Sequence, residues 1–413
     1  MTSKERITAA WNGEPSDYIP LTTWCFGLKV PENLAWMKDG KKQTYWYSKR
    51  MEHLHTLPFS WDWADEFNRV RTWKSLGVDD MVEISVPWSV SPEVSREDSV
   101  TGPSGSEKYP VMTRTYSTPA GTLKHAVRKT GEEMNEGWVI QPDNVPLIED
   151  FNIPRAVEHA VSSPEDVEKL AYVYCPPGEP EKAWFRERMD EITSFVSEED
   201  VPVQAWTGFG MDAVVWFTGT EKAIMMSLDE PEAFSEMIQI ITEADVERTR
   251  LAAGHPGVDI ITERGWYSST DFWSPALFDR FLFDHIAALA DAAHAGGKKF
   301  GYVMTTGIEV LGPRLADAGV DVLYFVDPID PIAGGKPDLN KIRDLLSDRM
   351  TLVGGVSSLS LSEEKPKLEQ QVRESIDAFK ETNRFILHPV DALFPDTSWS
   401  GVENLIEAWK KYK

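Results

Sequence analysis

Four polar residues sit at the ends of apolar runs in the second half of the chain. Glu263 follows Ile260-Ile261-Thr262, Tyr302 lies between Gly301 and Val303, Asp327 follows Tyr324-Phe325-Val326, and His388 follows Phe385-Ile386-Leu387. Carboxylate, phenol and imidazole side chains so placed suit proton donation, hydrogen bonding to a substrate oxygen, or metal ligation. They are the candidate catalytic residues. Each has a structural alternative. Glu263 can pair with Arg264 or cap a helix, Asp327 can cap the turn at Pro328, Tyr302 can fill a core, and His388 can be a hydrogen-bonded structural histidine. A second set surrounds them: Arg264, Trp266 and Tyr267 directly after Glu263, Asp391 three residues after His388, and Trp24 and Trp206 at the ends of earlier runs. Tryptophans at such positions wall pockets for flat apolar ligands, so this is the candidate substrate-binding set. Trp273 is placed similarly, and for any one of these tryptophans packing is the competing role.

Other residues promise less. His285 and His294 fall in a helical stretch and are expected on an outer layer; His53 and His55 are expected on the surface. Gly208-Phe209-Gly210 after a strand is a phosphate- or backbone-contact signal, but no P-loop and no GxGxxG after a strand is present. Cys25 and Cys175 lie far apart without a CxxC, which argues against a disulfide framework or a thiolate zinc site and suits a reducing, cytoplasmic setting.

The elements that must position these residues alternate. Apolar runs predict strands at 17–26, 80–86, 201–206, 257–263, 298–304, 321–327, 350–356 and 384–389. Helical patterns cover 3–12, 43–57, 63–76, 230–251 and 274–295. Ser163 before Pro164 marks another helix start. Eight strands alternating with helices imply an α/β chain, a (β/α)8 TIM barrel, with a doubly wound sheet as the alternative. Residues 88–150 break the rhythm. They are rich in Ser, Pro, Gly and Thr, and 111–116 and 122–127 alternate around a Pro/Gly turn, which predicts a β-rich insertion in a single 1–413 barrel.

Composition narrows the partners. The 413 residues carry a formal net charge of −25, which disfavours nucleic acid and anionic membrane surfaces. No 18-residue apolar run is present and the N-terminus shows no apolar signal core, so a cytoplasmic protein is expected.

The opening Lys4-Glu5-Arg6-Ile7-Thr8-Ala9-Ala10-Trp11-Asn12-Gly13 with Asp17-Tyr18-Ile19-Pro20 resembles the start of the uroporphyrinogen decarboxylase-like superfamily. So do Ser274-Pro275-Ala276-Leu277-Phe278, Ala318-Gly319-Val320-Asp321-Val322-Leu323, Val353-Gly354-Gly355-Val356 and Val402-Glu403-Asn404-Leu405. The resemblance implies a (β/α)8 barrel with its site at the C-terminal face. The insertion, with Arg114-Thr115-Tyr116-Ser117-Thr118-Pro119-Ala120-Gly121-Thr122-Leu123, looks like the corrinoid-dependent methyltransferases that demethylate methoxylated aromatics. That branch implies a small aromatic substrate, a corrinoid (cobalamin) from a partner protein or from solution, and anaerobic metabolism. The arginine-rich loop of the decarboxylases is absent, the region reading Thr22-Thr23-Trp24-Cys25-Phe26. The alternatives are a decarboxylase of a smaller carboxylated substrate and a non-catalytic corrinoid- or aromatic-binding protein. Tyr302 and Met304 stand where related methyltransferases carry a His-x-Cys zinc pair, and Asp279 is one residue out of step with a second acid. Glu263 and His388 are the remaining candidate zinc ligands.

Overall fold

The computed structural model describes the chain except residues 27, 29, 32–33, 39, 45–55, 57, 61–62, 132, 135–137, 140, 144 and 330–336. Strand β1 (Val82–Ser85) leads into an antiparallel layer of β2 (Ser95–Thr101), β3 (Val111–Thr118), β4 (Gly121–Arg128) and β5 (Ala156–Glu158). Six strands follow: β6 (Val203–Gly208), β7 (Ile260–Glu263), β8 (Lys299–Val303), β9 (Val322–Val326), β10 (Thr351–Ser357) and β11 (Phe385–Val390). With β1 they form one parallel sheet, ordered β11-β10-β9-β8-β7-β6-β1, with helices between successive strands. Consecutive parallel neighbours joined by helices are the construction of a (β/α)8 barrel.

The eighth stave is the segment around Leu21. A strand over 17–26 was expected; the segment instead makes isolated pairings, Leu21 with Leu387 and Cys25 with Leu393. Leu387 N donates to Pro20 O (2.9 Å) and Thr22 N to Leu387 O (3.0 Å), while Asp79 N donates to Leu21 O (3.0 Å) on the other side. The segment therefore joins β11 to the chain entering β1. Pro20 has no N–H to give a ladder, which keeps the pairing short.

Helix α1 (Ser3–Asn12) plugs the N-terminal end of the barrel. Thr2 and Glu5 form its capping box, with Glu5 N on Thr2 Oγ1 (3.2 Å) and Thr2 N on Glu5 Oε2 (2.9 Å). Ile7, Ala10 and Trp11 pack inside against Ile260, Val322, Val353 and Ile386. Truncating a buried Trp such as Trp11 costs about 3–5 kcal/mol.

Helix α2 (Trp63–Ser75) agrees with the helix expected over 63–76 and stops before Gly77, whose φ of 78° lies in the left-handed region. The helix expected over 43–57 begins on residues that are extended, in the hairpin Ala35–Lys38/Lys41–Thr44; the rest, with His53 and His55, falls largely outside the described residues. The antiparallel layer has its tight turn at Pro119-Ala120, with longer strands than the sequence pattern indicates. Its last strand, β5, lies beyond residue 150; three residues are too few for alternation to register in the sequence. No helix among the described residues is long and apolar enough to cross a membrane.

Candidate active site

Side chains alternate across each strand, so one register position decides whether a residue faces the barrel interior or the helices. Glu263 and Tyr302 pair in register and share a face. That face is the outer one. Helix α4 (Pro231–Ala253) supplies Thr242 and helix α5 (Phe283–Ala295) supplies His285 to that face. Glu263 Oε1 meets His285 Nε2 at 2.6 Å, and His285 Nδ1 meets Thr242 Oγ1 at 2.7 Å. Thr242 donates to Ile238 O (2.7 Å), leaving its oxygen to accept from His285 Nδ1–H. Burial raises the Glu263 carboxyl against the pull of His285. Burial opposes charge on His285, but Glu263 outweighs it and raises the imidazole. The pair is sealed: a Cβ at Gly210, φ +42°, would lie 2.4 Å from Glu263 Oε1, and one at Gly265 would lie 2.4 Å from the Tyr302 hydroxyl oxygen. Only glycine permits these approaches.

The expected convergence of Glu263, Tyr302, Asp327 and His388 on one cavity does not occur. Asp327 accepts from Ile329 N (2.9 Å), the turn-capping role, and lines a different 290 Å³ pocket with Thr305 and Ile342. His388 alone of the four faces the barrel interior, where its ring stacks on Phe325 (4.9 Å) and its Nδ1 meets Thr22 Oγ1 (2.9 Å). Burial lowers its pKa to about 3, so the imidazole is neutral. Glu263 and His388 therefore lie on opposite sides of the barrel wall and cannot share a metal. Among the described residues no group of three His, Cys, Asp or Glu is positioned to hold one. The described side chains at the positions named for a zinc, Glu263, Tyr302, Met304 and His388, do not fit a resident zinc of the kind the resemblance implies.

Five of the six residues expected to bind substrate come together. Trp24, Arg264, Trp266, Tyr267 and Asp391 line one 310 Å³ pocket at the C-terminal mouth, together with Phe26, Asp150, Phe151, Phe272 and Phe394. Trp24 lies 5.6 Å from Trp266 and 5.9 Å from Phe26, and Phe26 stacks on Phe151 at 5.3 Å. Arg264, 2% exposed, is fixed from three directions. Its Nε meets Asp212 Oδ2 (3.2 Å), its Nη2 pairs with Asp150, and its plane sits 4.6 Å from the Trp266 ring. Asp212 comes from helix α3 (Gly210–Thr218) and also accepts from Tyr267 N (3.0 Å). Burial raises the Asp212 carboxyl against the pull of Arg264. Burial, reinforced by Asp150 and Asp212, raises Tyr267, so its hydroxyl keeps its proton.

Trp206 stands behind Trp24 (6.1 Å) rather than in this pocket. It lines a smaller interior cavity of 20 Å³ beneath Trp24, with Arg69, Asp80, Glu83, Gln204, Tyr324 and His388. Arg69 Nη1 meets both Asp80 oxygens (2.8 and 2.6 Å) and its Nη2 meets Glu66 Oε1 (2.7 Å). Burial raises Asp80 to about 6 and also raises the Glu83 carboxyl.

Trp273 is core, packed against Phe234 at 5.7 Å. The Phe209 and Gly210 amides, the candidate phosphate contact, both donate to Asp245 Oδ2 (2.8 and 3.2 Å). His294 pairs with Asp321 on the outside (2.7 Å). Sequence reasoning missed Asp150, Asp212, Phe151 and Phe394. The one available signal was position: Asp212 falls just past the C-terminal end of a strand, where barrel enzymes place functional side chains.

A (β/α)8 barrel with an aromatic pocket at its C-terminal mouth is thus the class of molecule. The chain belongs to the uroporphyrinogen decarboxylase (URO-D) family, whose model matches residues 147–412. A methyltransferase from Methanosarcina mazei shares the fold across 100% of this chain and 99% of its own, with a TM-score of 0.56 at 16% identity. A putative vitamin-B12 independent methionine synthase from Listeria monocytogenes covers 55% of this chain and 67% of its own, with a TM-score of 0.34 at 11% identity. No curated protein matches the sequence.

Proposed function

We propose that this chain is a methyltransferase that moves a methyl group from a methoxylated aromatic to the cobalt of a corrinoid. The carrying observation is the 310 Å³ mouth pocket walled by Trp24, Phe26, Phe151, Trp266 and Phe394, a volume and surface suited to one substituted aromatic ring. The Methanosarcina mazei protein of the same fold is a methyltransferase, which supports the reading. The corrinoid is a second substrate, delivered by a partner protein or from solution; when bound it supplies the nucleophilic electron pair and accepts the methyl group.

The chain's own residues do the rest. Trp24 and Trp266 hold the ring, and the surrounding phenylalanines exclude water from the ether bond. As the O–CH₃ bond breaks, its electrons pass to the aryl oxygen. The Tyr267 hydroxyl, protonated at neutral pH, donates a hydrogen bond to that oxygen, and solvent supplies the proton that completes the phenol. Arg264 positions this wall. Among the pocket's described lining residues it is the only cation, and Asp150 and Asp212 offset its charge, so a polycarboxylate has little to bind. Decarboxylation of such a substrate is therefore the weaker reading.

The test is anaerobic incubation with guaiacol and cob(I)alamin. Methylcobalamin and catechol forming in equal amounts is the expected result. Carbon dioxide release from carboxylated arenes without methyl transfer would replace this reading with decarboxylation.

A further inference from the structure

Outside the mouth pocket, a 320 Å³ cavity lies between the antiparallel layer and the barrel. Its barrel side is apolar: Trp88 stacks on Tyr174 (5.4 Å, 28°), flanked by Val173 and Trp216. Its other side is one face of the layer. Arg96 pairs in register with Tyr116 and Asp98 with Arg114, so all four side chains share that face. Arg114 grips Asp98 through Nε and Nη2 (2.7 and 2.8 Å), whereas Arg96 stands 4.0 Å from the same carboxylate and is largely exposed. Among the described residues two guanidiniums thus share one carboxylate, leaving a local charge of +1 at the rim of an apolar cavity. His125, opposite Arg114 on β4, adds nothing to it, because burial lowers its pKa to about 3.

On a chain of net charge −25, a positive rim over stacked aromatics is chemically selective. We infer that this cavity binds a small aromatic monocarboxylate, with its ring against Trp88 and Tyr174 and its carboxylate on Arg96 and Arg114. The site is connected to the mouth pocket through Trp216. One edge of this indole lines the cavity; its Nε1–H donates to Asp150, which pairs with Arg264, and Arg264 lies 5.1 Å from the Trp216 ring. An occupant that shifts Trp216 shifts the ion pair that holds the mouth wall.

The inference is independent of the methyl-transfer reading, and its test needs no turnover. Naphthoate is titrated into the full-length protein and tryptophan fluorescence followed, with neutral naphthamide as control. Saturable quenching by naphthoate, at least tenfold weaker for naphthamide and for Arg96→Met, is the expected result, with binding unchanged between pH 6 and 8 because the arginines stay charged. Arg114→Met should weaken it further; if that variant misfolds by circular dichroism, the exposed Arg96→Met alone decides. Phe394→Ala, in the mouth pocket but outside the Trp216–Asp150–Arg264 route, should leave naphthoate affinity unchanged. No saturable binding, equal affinity for naphthamide, indifference to Arg96→Met, or loss of binding in Phe394→Ala each overturns the assignment.

Discussion

Two cavities meet at Trp24, and they are built on opposite principles. Above it lie 310 Å³ walled, among the described residues, by six aromatic side chains besides Trp24 itself, with a single cation already paired to Asp150 and Asp212. Below it lie 20 Å³ lined by Arg69, Asp80, Glu83, Gln204 and His388. The upper volume accepts a ring; the lower one has room for about one water. Around the lower cavity the carboxylates Glu66, Asp80 and Glu83 share one guanidinium, and burial there favours the protonated forms of Asp80 and Glu83. The contrast separates binding from support: the polar network fixes the floor on which Trp24 rests, and in the proposed function the aromatics above hold the ligand.

The largest effect is expected from breaking the floor. Arg69→Met leaves Asp80 and Glu66 buried without their cation, which should cost about 3–5 kcal/mol of stability. Urea denaturation checks this, and a loss under about 1 kcal/mol would show that the network is not a support. The wall comes next. Trp266→Ala should lower kcat/KM for methyl transfer by about 10- to 100-fold, chiefly through KM, while the protein stays folded. An unchanged KM would move the ring elsewhere.

Acidification acts on the lower cavity. His388 has a folded pKa lowered to about 3, so as pH falls below about 6.5 the unfolded chain takes up a proton that the native imidazole refuses. Stability gained from this group is present above that pH and lost on acidification. Between pH 7 and 5 the loss should be about 2 kcal/mol, and His388→Gln should remove that portion of the pH dependence. Equal slopes in parent and variant would mean that His388 is protonated in the fold. The smallest effect belongs to the outer face of the wall. Glu263→Gln and Tyr302→Phe should change kcat by less than about threefold, because both side chains face the helices. Abolished turnover in a folded Glu263→Gln would return that residue to the chemistry.

These contrasts also mark what the sequence disclosed. Strand-helix alternation revealed the barrel, since β6 to β11 are each an apolar run before a helix. The stave at Leu21 was overread as a full strand because an apolar run does not say how many of its residues find a partner. Trp24, Arg264, Trp266, Tyr267 and Asp391 line one pocket because residues just past strand ends share one mouth whatever their register. Glu263, Tyr302 and His388 lie inside strands, where a shift of one residue moves a side chain through the wall. Nothing in the order of residues says which face of a fully buried parallel strand looks inward, as both faces are apolar. Asp150 and Arg69 escaped notice for another reason: they reach their cavities from a 3₁₀ helix and an α-helix rather than from a strand end.

The central claim is that the methyl donor lies above Trp24, and a crystal structure of the protein with guaiacol tests it most directly. The account predicts the ring in the mouth pocket against Trp24 and Trp266, with its oxygen toward Tyr267. Guaiacol bound instead in the pocket beside Asp327, with the mouth pocket empty, would contradict it.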